Sequence, residues 1–230
     1  MRAAALLVSG LFVAVIALPH PASAAEPAAV PAPPSGEAAP AGEAPAAGAA
    51  EDPAAAARVP VERLYATLDD VMARADALGF EGRYEALAPV VASSYDVNFM
   101  AQLILGSGWK ELTPQQQARW VDAFTRFTVS TYADRFDGAR IRFEIGASEP
   151  AAQETTLVRT VLHPKDAEPV KLDYRVRPGA GGYRIVDVYL NGTVSELALR
   201  RSEYSSLMKR EGFDALVGAL EQKSAAAKAG

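Results

Sequence analysis

The spacing of apolar positions changes along this 230-residue chain, and the changes mark out its elements. From Val61 the residues Leu64, Leu68, Val71, Met72 and Ala75 fall three and four apart. That spacing predicts an amphipathic helix ending before Gly79, with Glu62, Arg63, Asp69 and Arg74 on its outer face. A second helical stretch, Glu81 to about Ala92, turns Tyr84, Leu87, Val90 and Val91 inward, with Pro89 as a kink or end. Asp96 is placed to cap a short helix reaching Leu105. Its residues Phe99, Met100, Leu103, Ile104 and Leu105 are apolar nearly all round, which predicts deep burial. After breaks at Gly106 and Gly108, Thr113-Pro114-Gln115-Gln116 has the form of a capping box with proline at the first helical position. The helix it opens runs to about Phe136 and gathers Trp120, Val121, Phe124, Phe127, Tyr132 and Phe136 on one broad face.

Beyond Asp137-Gly138 the apolar period drops from about 3.6 residues to 2. Arg140 to Ile145 and Lys171 to Arg177 alternate charged and apolar residues, and Thr155 to His163 does so more weakly. Tyr183 to Leu190 is apolar on both alternating sets, Ile185 and Tyr189 on one side and Val186, Val188 and Leu190 on the other, so both faces require cover. Asp187 alone interrupts it. Short loops between the four strands predict an antiparallel meander. Asn191-Gly192 supplies a turn, and Thr193 to Glu196 has capping-box spacing, so a helix is expected to start there. Gly212 stops that helix, Phe213, Leu216, Val217 and Leu220 form a short closing one, and residues 224–230 read as a frayed tail. The fold class is therefore α+β, a four-stranded antiparallel sheet with helices before and after it laid across one face.

Composition adds what precedes the first helix. Residues 1–24 have the layout of a cleaved signal peptide: Arg2, an apolar run from Ala3 to Leu18, Pro19 and Pro21, then Ala22-Ser23-Ala24. Residues 25–58 are nearly all Ala, Pro, Gly and Glu with no aromatic residue, the composition of a disordered tether, so the ordered domain is expected over 59–223. Removal of Arg2 with the signal takes 23 basic residues to 22 against 28 acidic ones, a net charge of about −6, which argues against nucleic acid as a partner.

The absence of cysteine excludes disulfides, thiolate metal sites and a cysteine nucleophile. Beyond the signal one histidine is left, His163, at a strand end, so multi-histidine metal sites are excluded and a serine triad would have to use it. There is no GxSxG serine, no phosphate loop, and no GxGxxG after a strand, and no cofactor is implied. Asp187 is left as a buried acid or base, or as a structural anchor for the helix that follows. Arg200, Arg201, Lys209 and Arg210 make part of the long helix basic, as a solvated face or as a docking face for an acidic partner.

The run GYRIVDVYLNGTVSELALRRSEYSSLMKREGFDALVGALE from Gly182, preceded by VKLDYRV and TPQQQARWVDAFTRFTVSTYADRF, resembles the MlaC or toluene-tolerance family of lipid carriers, in particular its hopanoid-associated HpnM branch. The likeness spans roughly Val61 to Lys223 and rests on DV-x3-G-x-V-S from Asp187, R-x-E-Y from Arg201 and G-x-D-x-L from Gly212, in order. It implies a periplasmic, non-enzymatic, monomeric carrier with an apolar cavity for a phospholipid or hopanoid. It also implies exchange with an inner-membrane transporter, with an outer-membrane complex as a further partner in outer-membrane maintenance. The residues expected to line the cavity are Phe99 and Leu103, the aromatic set Trp120, Phe124, Phe127 and Tyr132, and the strand residues Phe143, Leu172, Tyr174, Val176, Ile185 and Tyr189. Two other readings stay open: a small carboxylate-dependent enzyme using Asp187 or His163, and a tethered adaptor that contacts its partner through the basic helix.

Overall fold

The computed structural model describes residues 52–229. The expected signal peptide and most of the expected tether lie outside them. The first helix, α1 (Pro53–Ala73), opens with Asp52 accepting the Ala54 N–H at 3.0 Å and with proline at the first position. It therefore starts ahead of Val59, taking in the end of the expected tether. The alanines there favour helix, Ala57 is fully buried, and Arg58 Nε donates to Ser148 Oγ at 3.0 Å. Ala57, Val61, Leu64, Leu68 and Val71 form the stripe that α1 lays across four strands of the sheet.

Arg74 separates α1 from α2 (Ala75–Ser94), inside which Gly79 turns the chain at φ 58°, ψ −173°, a conformation open essentially to glycine alone. Pro89 does not end α2, because the turn after it is held by Val90 and Val91 in the core. Helix α3 (Val97–Leu105) is capped by Asp96, which accepts the Phe99 N–H at 3.1 Å. Its burial is one-sided, not all-round: Met100, Ala101, Ile104 and Leu105 face inward while Leu103 is 36% exposed. A 3-10 turn, Gly106–Glu111, leads to α4 (Pro114–Arg135). Both halves of the expected capping box form: Gln116 N–H donates to Thr113 Oγ1 at 3.2 Å and Thr113 N–H to Gln116 Oε1 at 2.9 Å.

The sheet has five strands, not four: β1 (Ile141–Ala151), β2 (Thr155–Pro164), β3 (Val170–Arg177), β4 (Arg184–Leu190) and β5 (Val194–Ser195), in sequential antiparallel order. The fifth exists because Asn191 and Gly192 both adopt positive φ, 52° and 72°, and close a tight hairpin that returns Val194 to Leu190 and Ser195 to Tyr189. Thr193, the expected cap, is thus in the turn, and Val194 and Ser195 are strand where the first helical residues were expected. The last helix, α5 (Glu196–Ala229), starts two residues later than expected and is capped by Ser195, whose Oγ accepts the Ala198 N–H at 3.0 Å. Gly212 at φ 86° and ψ 177° divides α5. Its second half continues through the expected frayed tail to Ala229, over alanine-rich sequence with Ser224 donating to the Leu220 carbonyl at 2.9 Å.

A bulge in β4 sets which face each side chain takes. Arg175 pairs with Asp187 but Val176 pairs with Ile185, so Val186 is an extra residue on that strand. Leu172, Tyr174 and Val176 consequently share a face with Leu190, Val188 and Ile185, the face covered by the helices. Tyr189 falls on the opposite face with Asp173 and Arg175. That other face is polar. Arg159 donates to Asp173 at 2.5 Å and to Glu149 at 3.0 Å, and His163 Nε2 lies 2.9 Å from Glu144 Oε2.

Candidate functional site

Nine of the twelve residues expected to line a cavity come together on the helix-covered face of the sheet. The capping box and Pro114 start α4, which packs on α2, α3 and α5 and buries Trp120, Phe124, Phe127 and Tyr132, all four at most 6% exposed. Leu172, Tyr174, Val176 and Ile185 of β3 and β4 are buried in the same core, and Phe143 from β1 stacks on Tyr65 of α1 with ring centroids 4.2 Å apart. Trp120 stacks on Phe124 at 5.9 Å and donates its indole N–H to the Ala101 carbonyl at 3.0 Å. Tyr132 stacks on Phe136 at 5.9 Å.

The other three residues lie elsewhere. Leu103 faces outward from the short helix. Phe99 lies beneath the Arg177 guanidinium, 3.9 Å from its ring, and that guanidinium also pairs with Asp96 at 2.6 Å. Tyr189 was displaced to the polar face by the Val186 bulge and lies beneath Arg175 at 5.2 Å. A single extra residue cannot be read from alternation, and this one shifted the strand's phase.

The interior is less apolar than expected, because it contains hydroxyls, a carboxyl group and a guanidinium. Tyr65 shares a hydrogen bond with Thr160 Oγ1 at 2.7 Å, and Tyr95 shares one with Tyr132 at 2.5 Å. Burial holds the phenols of Tyr65, Tyr95, Tyr132 and Tyr174 above their ordinary range, so they are neutral donors and acceptors at any physiological pH. On α5, Glu196, Arg200 and Tyr204 follow one another at four-residue steps on the inward face, each at most 6% exposed. Arg200 donates to Tyr204 Oη at 2.9 Å and lies 5.0 Å from the Phe127 ring centroid. Burial raises Glu196 to about 7, opposed by the nearby Arg200. Arg200 is thus a core residue, and the basic surface expected for this helix does not include it. The signal for these three residues was present in the sequence as i, i+4, i+8 spacing on the face that also carries Leu207.

Asp187 acts as an anchor. Its Oδ1 accepts the Val188 N–H at 2.8 Å and the Leu197 N–H at 3.0 Å, and its Oδ2 accepts the Ser195 hydroxyl at 2.7 Å. The carboxylate thereby ties β4 to the first turn of α5, where negative charge also suits the helix dipole. With these partners it is occupied as an acceptor, and His163, six residues along β2 from the Leu157 that pairs with Arg175, bonds Glu144 instead. No group of three His, Asp or Glu side chains among the described residues is placed to hold a metal.

The aromatic layer is closed. Between α3, α4, α5 and β4 a void of about 10 Å³ remains, lined by Tyr95, Val97, Met100, Phe124, Thr128, Val188, Glu196, Leu197 and Arg200. Outside it an open cleft of about 490 Å³, lined by polar and apolar groups alike, shares Tyr95 and Val97 with that void. A family model described as MlaC protein matches residues 62–222. The chain belongs to the MlaC family. Among solved structures, a phospholipid-binding protein from Ralstonia solanacearum, determined in complex with a phospholipid, is similar at TM-score 0.63 and 22% identity. The match covers 76% of this chain and 98% of that one, and at that identity it establishes the shared fold. In this MlaC family member, then, a void of about 10 Å³ lies where the helices meet β4.

Proposed function

We propose that this protein is a non-enzymatic lipid carrier that takes the apolar part of a lipid between α4, α5 and the helix-covered face of the sheet. The observation that carries the reading is the aromatic layer itself. Trp120, Phe124 and Phe127 from one helix and Tyr174 and Ile185 from the strands are buried in one core, in a chain whose fold is shared with a protein solved with phospholipid bound. A drug-sized ligand needs a pocket of roughly 300–1,000 Å³. The void of about 10 Å³ must therefore widen on binding, by parting of the layer's two sides. The finer reading is a periplasmic monomer that collects a phospholipid or a hopanoid-type lipid at an inner-membrane transporter and exchanges it with an outer-membrane complex. The HpnM-like sequence pattern and the signal-peptide layout of residues 1–24 support it.

Solvent extraction of gently purified protein followed by mass spectrometry tests the carrier reading. The expected result is a lipid present in near-stoichiometric amount. Phe127→Asp, with folding checked by circular dichroism, should lose it. Repeated extraction of correctly folded wild-type protein that yields no lipid would refute the reading.

A further inference from the structure

Glu196 is the one acidic side chain in the lining of the closed void, 6% exposed, and its Oε2 has no hydrogen-bond partner. The donors around it are committed elsewhere. The Thr128 hydroxyl donates to the Phe124 carbonyl at 2.8 Å, the Tyr95 hydroxyl is bonded to Tyr132, and the Leu197 N–H goes to Asp187. The neighbouring Arg200 donates to Tyr204 and lies against Phe127. A carboxylate oxygen without a donor in such a place is costly, and filling the space beside it with hydrocarbon alone would leave that cost in place.

We propose that the lipid this cavity accepts presents a hydrogen-bond donor, a hydroxyl or a protonated amine, to Glu196 Oε2. This rests on the carrier reading and sharpens it: a simple acyl chain satisfies the aromatic wall but not the carboxylate. A site built to hydrogen-bond a ligand group discriminates against the analogue lacking it, because the site's own group is then left unpaired. Glu196 is in this sense a specificity residue, set among apolar side chains by the first turn of α5, which Ser195 and Asp187 hold in place.

Competition against cis-parinaric acid tests this on the whole protein. The competitors are dodecanol, its methyl ether, which keeps an acceptor but has no donor, and dodecylamine. At about pH 8.5, where Glu196 is ionised, wild type should prefer the alcohol to the ether by about tenfold, the scale of a hydrogen bond to a charged group. Glu196→Leu should bring that ratio to about one, whatever its overall affinity. A further advantage of dodecylamine that Glu196→Gln removes identifies an ammonium as the donor. No such advantage identifies a hydroxyl. A void of this size also fits a single water, and a water-satisfied carboxylate gives alcohol and ether equal standing in wild type. That equality, or a ratio unchanged in Glu196→Leu, overturns the proposal while leaving lipid binding intact. Failure of wild type to take up parinaric acid at all overturns the carrier reading, and this inference with it.

Discussion

Asp187 and Glu196, both in the Gly182–Glu221 run, show how two buried carboxylates in one neighbourhood come to different roles. Asp187 receives three donors and fixes a strand to a helix, so Asp187→Ala leaves Leu197 N–H and the Ser195 hydroxyl without their acceptor. The expected cost is about 3 kcal/mol, a fall in Tm of roughly 8 °C in thermal unfolding. Glu196 is raised from 4.5 to about 7 by burial, so the folded state holds a proton that the unfolded state gives up sooner. Its contribution to stability is complete below about pH 4.5 and is lost as the pH rises through 7, by at most about 3 kcal/mol. Denaturant titrations between pH 5 and 8 should show this decline in wild type and a flatter profile in Glu196→Gln. Neither role was evident from residue type alone. Asp187 stood out as the polar interruption of an apolar strand, whereas Glu196 read as half of a capping box, and only the hairpin at Asn191-Gly192 moved it into the interior.

At the scale of elements, local chemistry was legible where it acts within a few residues. Thr113, Pro114 and Gln116 predicted the start of α4, and the alternation of Arg140 to Ile145 and Lys171 to Arg177 predicted β1 and β3. What the pattern could not carry were single-residue shifts: the bulge at Val186 that sends Tyr189 to the polar face, and the two-residue β5, too short to have a period. The capping residue of α5 was misplaced for the same reason, since its second acceptor, Asp187, comes from another element. Gly212 belongs at this scale too. At φ 86° and ψ 177° it occupies backbone space that other residues adopt only under strain, and a Cβ there would meet nothing within 4 Å. Gly212→Ala therefore tests backbone strain with no clash, and should lower stability by about 1–3 kcal/mol in urea unfolding with its slope unchanged.

Across the described domain, fold class and the identity of most residues in the aromatic layer could be read from the sequence, but the space between them could not. The same residue types make a solid core or a lined cavity, and here they close to a void of about 10 Å³ bordered by a glutamate. On the proposed carrier reading, lipid binding opens packed surfaces, and it should be slow to reverse and should protect the layer once filled. The measurement that bears on this is native mass spectrometry of delipidated protein after incubation with phospholipid vesicles and removal of the vesicles. A species heavier by the mass of one intact lipid, absent when Phe127→Asp is treated in the same way, is the predicted result. A folded wild-type protein recovered only at its own mass would contradict it.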